Sequence, residues 1–94
     1  MAISREKAEE RALAALAWLA GNEDLVGVFL GSTGLRAEDV RAQAGDAEFL
    51  ASVLDFIMMD DAWLIALADA EGWAYTDVAE ARAALPGGDA MHWT

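Results

Sequence analysis

Apolar residues recur at helical spacing over most of the chain. The first such stretch follows Ser4, a residue type that caps helix N-termini, and has Glu6 in its first turn. It ends at Gly21, as expected for the glycine that follows a helix. We therefore predict a first helix whose apolar positions are Ala12, Leu13, Leu16, Leu19 and Ala20.

Three more helices are predicted before residue 58. Asn22 is expected to cap the second, whose apolar residues are Leu25, Val26, Val28, Phe29 and Leu30. After a turn at 32–34, Glu38 and Asp39 open a short third helix around Val40. A break and cap at Gly45-Asp46 precede the fourth helix. That helix carries the most continuous apolar stripe, formed by Phe49, Leu50, Val53, Leu54 and Ile57.

The last two predicted helices flank Gly72. Asp60 is expected to cap a fifth helix, and Gly72 closes it; its apolar residues are Trp63, Leu64 and Leu67. A sixth helix runs from near Tyr75 to Leu85 and stops at the Pro-Gly-Gly of residues 86–88. No run alternates between apolar and polar residues as a strand would. The pattern predicts an all-α protein, a compact bundle of five or six short helices.

A length of 94 residues fits one domain, which we predict over residues 1–88 with a tail at 89–94. The expected core has Phe49, Val53, Leu54, Ile57 and Leu64 packing on Leu13, Leu16 and Phe29. A weak internal similarity at a spacing of 38 residues pairs Asn22 with Asp60 and Gly34 with Gly72. Two pseudo-repeated three-helix units would produce it, and so would the shared chemistry of caps and turns.

Charge limits the classes of partner. Six basic residues face 17 acidic ones, a net charge of −11, and residues 42–81 contain nine acids and no Lys or Arg. Nucleic acids and anionic membranes bind through Lys and Arg, so neither is an expected partner. The longest uncharged stretches have 11 residues, too few for a membrane span. Acidic residues on both sides of the apolar 12–20 stretch disagree with a secretory signal, and we predict a cytoplasmic protein.

Little in the sequence points to catalysis. There is no cysteine, and the single histidine, His92, lies in the predicted tail, away from any nucleophile motif. The acidic pairs at 23–24, 38–39 and 60–61 each open a predicted helix, where negative charge is favourable. We predict no catalytic residue, no metal site and no cofactor, and expect that the protein is not an enzyme.

A helix-turn-helix-like spacing links Ala68, Gly72 and Val78, in which the small residue and the glycine allow two helices to approach. Asp77 and Glu80 lie on the second of these helices, where a DNA-binding protein needs basic side chains. The spacing therefore indicates a structural turn rather than DNA recognition.

Aromatic residues supply the candidate contact site. Five of them accompany apolar stripes and are expected in the core: Trp18, Phe29, Phe49, Phe56 and Trp63. Trp73 and Tyr75 flank the Gly72 turn and either fix the last helix or form a contact surface rimmed by acids. Trp93, next to His92, either packs on the domain or binds a partner. The candidate partner-contact residues are Trp73, Tyr75, His92 and Trp93.

Four runs resemble a known family: residues 15–19 (ALAWL), 29–35 (FLGSTGL), 49–56 (FLASVLDF) and 81–88 (ARAALPGG). Together they are similar to domain-of-unknown-function family 3572, short alphaproteobacterial proteins of unknown function. The resemblance covers nearly the whole chain and implies a bacterial cytoplasmic protein. It supplies no activity, cofactor or site residue. The family usually has Asp-Pro before the third helix, where this chain has Arg36-Ala37, so a weaker cap is expected there.

Three functions remain open. The leading hypothesis is a non-enzymatic protein-interaction or regulatory module that binds a protein partner or a second copy of itself. The alternative is a regulator derived from a helix-turn-helix, acting through a protein partner. The third is a small-molecule-binding or enzymatic domain, for which a cleft with converging polar residues would be evidence.

Overall fold

The computed structural model describes residues 3–87, which contain six α-helices and no strand. The helices are α1 (Arg5–Ala20), α2 (Glu23–Thr33), α3 (Ala37–Gln43), α4 (Ala47–Met58), α5 (Asp61–Glu71) and α6 (Tyr75–Ala83). The Cα radius of gyration is 12.5 Å, close to the roughly 12 Å expected for a compact domain of this length. The all-α bundle is confirmed. The predicted tail, with His92 and Trp93, lies outside the described residues.

Side-chain caps start three of the helices as the sequence predicts. Ser4 Oγ accepts a hydrogen bond from Lys7 N at 3.1 Å, Asn22 Oδ1 one from Leu25 N at 3.2 Å, and Asp60 Oδ1 one from Ala62 N at 2.8 Å. Asp46 is the N-cap residue of α4, as predicted, and its backbone is extended, but its side chain makes no capping hydrogen bond.

Two left-handed glycines end α2 and α5. Gly34 has φ +76° and Gly72 has φ +74°, a region that residues with a Cβ rarely adopt. Each donates its N–H to the carbonyl four residues earlier. Gly21 follows α1 as predicted but with φ −83°, so this end does not depend on a left-handed residue.

The core is organised around α4, which packs against α1, α5 and α6. Val53, Leu54 and Ile57 are fully buried. From α2, Phe29 meets Phe56 edge to face, with ring centroids 5.0 Å apart. Phe56 also stacks on Trp63 of α5 at 4.9 Å. These contacts confirm the predicted apolar stripe of α4 as the centre of the fold.

The sequence prediction of the core was wrong at several apolar positions. Leu13 is 49% exposed and Val28 is 50% exposed, and Ala20 is exposed as well. Leu64, Trp18 and Trp63 are only partly buried, although they pack against the core. The buried face of α1 is formed instead by Ala8, Ala12, Ala15, Leu16 and Leu19. Leu13 lies roughly 100° around the helix from the centre of that face.

The two halves of the chain share their local structure at an offset of 38 residues. Helices α2 and α5 have corresponding first and last residues, and α3 and α6 start at corresponding positions. The Arg36 N–H donates to Asp39 Oδ2 at 2.9 Å, and the Ala74 N–H donates to Asp77 Oδ2 at the same distance. Their packing differs: α6 lies against α1 and α4, whereas none of the residues of α3 is buried.

Within the described chain, no single helix is both long and apolar enough to cross a membrane. Helices α1 and α2 satisfy the requirement together by length and composition, with a bend of 108° between them.

Candidate functional site

The turn between α5 and α6 presents the predicted aromatic pair. Its sharp reversal is fixed by Gly72, and Trp73 N donates to Ala68 O at 2.9 Å. Ala68 and Val78 are buried, as the helix-turn-helix-like spacing predicted. The hydrogen bond from Ala74 N to Asp77 fixes the start of α6. These hydrogen bonds define the backbone of the turn that carries Trp73 and Tyr75.

Trp73 and Tyr75 lie on opposite sides of this turn. Trp73 is partly buried and packs against the core, so it helps to fix α6. Tyr75 is 51% exposed, and its hydroxyl lies 3.4 Å from Asp69 Oδ1 in a long hydrogen bond. Of the two predicted contact residues that the structure describes, Trp73 and Tyr75, Tyr75 is the one whose ring is exposed; His92 and Trp93 lie beyond residue 87.

Three acidic residues lie close to Tyr75 in the sequence, and two of them are exposed. Asp69 and Glu71 are exposed on the last turn of α5. Asp77 is only partly exposed, because its carboxylate caps Ala74 and lies 3.9 Å from Arg11 of α1. We name Asp69, Glu71, Trp73 and Tyr75 the Gly72 surface.

The outer acids of α6 are used within the fold. Arg11 Nη1 lies 3.2 Å from both Asp77 O and Glu80 Oε1, which joins α1 to α6. Arg82, the single cation of α6, is 9% exposed and donates from Nε to Asp55 Oδ1 at 2.6 Å. Its Nη1 also donates to Pro86 O at 2.9 Å. Helix α6 therefore offers no free cation for phosphate contacts.

The acidic pairs act as helix-start residues. Asn22 and Asp60 cap the helices that begin with Glu23-Asp24 and Asp61, and Asp39 stabilises the start of α3. Arg36 makes no side-chain cap, which agrees with the weaker cap expected from the resemblance. Among residues 3–87, no group of three or more His, Asp or Glu is arranged to hold a metal ion.

A groove of about 580 Å³ at the α1–α2 junction is wide enough for a small molecule. It is open to solvent, and the polar residues in its wall are Asn22, Glu23 and Asp24. The side chain of Asn22 already caps α2. Glu23 and Asp24 are exposed, so the groove is an open polar depression rather than an enclosed pocket.

Sequence reasoning missed one surface feature, the shallow groove beside Leu13 between α1 and the α3–α4 connection. The signal was present in the regular spacing of Ala8, Ala12 and Ala15, which lets α1 pack closely through alanines. That face accounts for the contact with α4 and leaves Leu13 outside it.

The comparisons with known proteins identify the family. A family model described as "Protein of unknown function (DUF3572)" matches residues 5–88, so the chain belongs to this family, as its resemblance implied. No curated protein and no solved structure matches the chain.

Proposed function

We propose that this member of the DUF3572 family is a non-enzymatic protein-interaction module of the bacterial cytoplasm that binds a basic protein partner. The observation that carries the proposal is the exposed ring of Tyr75, fixed at the start of α6 and accompanied by Asp69 and Glu71. Tyrosine is enriched at protein interfaces because its ring buries a large area at low entropic cost.

Charge favours a basic partner over a second copy of the chain. A symmetric dimer through the Gly72 surface would bring the same patch of each copy together. Asp69 and Glu71 would then lie near the acidic residues of the same patch on the other copy, in a protein that already carries a net charge of −11. A partner with Lys or Arg around an apolar pocket avoids this repulsion and gains electrostatic attraction during encounter.

The test is affinity capture with the full chain at low and at physiological salt. Tyr75→Ala removes the exposed ring, and Met59→Ala is the control, since Met59 is 79% exposed at the end of α4. We expect a basic protein that the wild type and Met59→Ala retain, that Tyr75→Ala loses, and that binds the wild type again after purification. Circular dichroism should show the same helical signal for all three proteins.

Equal capture by the wild type and Tyr75→Ala would contradict the proposal. A concentration-dependent dimer in sedimentation, dissociated by Tyr75→Ala, would assign the surface to a second copy instead. Truncation after Gly88 tests whether His92 and Trp93 contribute to the same contact.

A second candidate is a regulator derived from a helix-turn-helix that acts through a protein partner. The buried Ala68 and Val78 around the left-handed Gly72 favour this origin for α5 and α6. The second candidate requires a DNA-binding protein as its partner, whereas the first requires a basic protein of any kind.

A further inference from the structure

A groove with an apolar floor lies on the flank of α1 opposite α6. Leu13 projects into it from α1, Leu50 of α4 lines it, and Ala44 and Gly45 of the α3–α4 connection complete it. Its volume is about 270 Å³. Arg11, which binds α6, and Leu13 point to opposite sides of α1 because residues two apart differ by roughly 200°. We name these four residues the Leu13 groove.

Negative charge borders this groove. Glu6, Glu9 and Glu10 line it, and none of the described residues that line it is Lys or Arg. Glu9 forms an exposed ion pair with Arg5 at 3.1 Å, whereas Glu6 and Glu10 are exposed and have no such pair among residues 3–87. An exposed leucine beside two exposed carboxylates matches a partner that is apolar at its centre and basic at its edge.

The second half of the chain contains a covered counterpart of the same position. Ala51 lies 38 residues after Leu13 and is buried in a surface depression that Arg82 and Pro86 also line. In that depression, the Arg82 guanidinium donates a hydrogen bond to Asp55. A positive charge therefore lies beside Ala51, an apolar residue with acidic neighbours. In the first half, the position that corresponds to Arg82 is Ala44, 38 residues earlier. The Leu13 groove therefore has acidic residues and an apolar floor but no arginine at that position.

We propose that the Leu13 groove docks a basic amphipathic helix of another protein. One large apolar side chain of that helix contacts Leu13 and Leu50, and its flanking Lys or Arg residues pair with Glu6 and Glu10. The groove is slightly smaller than the range of about 300–1,000 Å³ typical of small-molecule pockets, which fits a side-chain anchor better than a cofactor. This surface is separate from the Gly72 surface.

Charge disfavours the other occupants. A second copy carries the same net charge of −11, and residues 88–94 of this chain contain Asp89 and no Lys or Arg. A second copy would approach against the repulsion between two acidic chains, and the 88–94 segment supplies no Lys or Arg to Glu6 and Glu10. Both alternatives remain measurable, by sedimentation and by truncation after Gly88.

The experiment titrates the full chain into a fluorescein-labelled amphipathic peptide of about five helical turns, with Leu on one face and Lys and Arg on the other. We expect Leu13→Ala to weaken binding about tenfold, because an anchor contact is worth more than 1 kcal/mol. The double variant E6Q/E10Q should weaken it several-fold. In amide NMR spectra, the peptide should shift signals of residues 6–13 and 44–50 most strongly.

Matched controls separate this site from general attraction between opposite charges. Val28→Ala removes an apolar side chain of similar exposure, and E38Q/D61N removes two first-turn charges elsewhere. Both should keep the wild-type affinity within about twofold, the effect expected of surface changes outside the contact. Equal weakening by the controls, loss of binding in Tyr75→Ala, or no binding at low salt would each overturn the proposal.

Discussion

The same Leu→Ala substitution, made separately at Leu54 and at Leu13, tests how the bundle is packed. They lie on α4 and α1, which pack against each other, and the apolar pattern assigns both to the core. The structure separates them: Leu54 is fully buried, whereas Leu13 is 49% exposed. The same Leu→Ala change should therefore have very different effects on the free energy of unfolding.

The expected difference follows from burial. Leu54→Ala loses the transfer free energy of the side chain and leaves a cavity beside Val53 and Ile57, both fully buried, which gives a cost of about 3–5 kcal/mol. A domain of this length has a total stability of roughly 5–14 kcal/mol, so this cost is a large part of the free energy of unfolding. Leu13→Ala loses about half of a transfer term of roughly 2 kcal/mol and regains part of it through the helix propensity of alanine. Its net cost should be about 0.5 kcal/mol.

Urea unfolding followed by circular dichroism and tryptophan fluorescence measures both values. The slope of the transition should stay constant, and the melting temperature of Leu54→Ala should fall by roughly 4–8 °C for each kcal/mol lost. A loss below about 0.5 kcal/mol for Leu54→Ala would refute the assignment of the core. An equal loss in the two variants would refute the orientation of α1.

Three further predictions concern two glycines, the hydrogen bonds of Arg82 and the acidic charge of the chain. Gly72→Ala should destabilise the protein by about 1–2 kcal/mol because its φ is +74°, whereas Gly27→Ala, with open space in the middle of α2, should stabilise it by about 0.5–1 kcal/mol in the same unfolding assay. Arg82→Met should cost about 1–2 kcal/mol, since it removes the donors to Asp55 and Pro86 O while keeping the aliphatic stem; an unchanged melting temperature would contradict the importance of these bonds. Gel shifts with duplex DNA at low salt should show no specific complex, and a band that resists unlabelled competitor would contradict this.

The local structure was predictable because it depends on residues close in sequence. A cap such as Asn22 or Asp60 acts on an N–H two or three residues away, and a left-handed glycine acts on one turn. The apolar stripe of α4 was also clear, because it faces neighbours on several sides. Asp46 makes no side-chain cap because a suitable residue type does not ensure that the side chain reaches the free N–H.

The core of α1 was harder to predict because two criteria for burial disagree there. Leucine is more hydrophobic than alanine, so a pattern read by residue type assigns Leu13 to the core. Alanines on one face let α1 approach its neighbours closely, and that close contact decides which face is buried. The candidate site was hard to predict for a similar reason. Trp73 and Tyr75 are two positions apart at a turn, so one side chain can be buried while the other is exposed. Which of the two packs on the core depends on residues distant in the sequence.

The comparison of the two halves shows why equal local structure does not produce equal surfaces. Helices α3 and α6 start from the same arrangement, in which an aspartate accepts the N–H three residues earlier. Helix α6 then buries Val78, Ala81 and Arg82. The corresponding residues are Val40 and Gln43 of α3 and Ala44 just after it, and none of them is fully buried. The ion pair of Arg82 with Asp55 has no equivalent at positions 44 and 17, which are both alanine. The first half therefore leaves an acid-lined apolar position uncovered, and a partner's cation is what that position lacks.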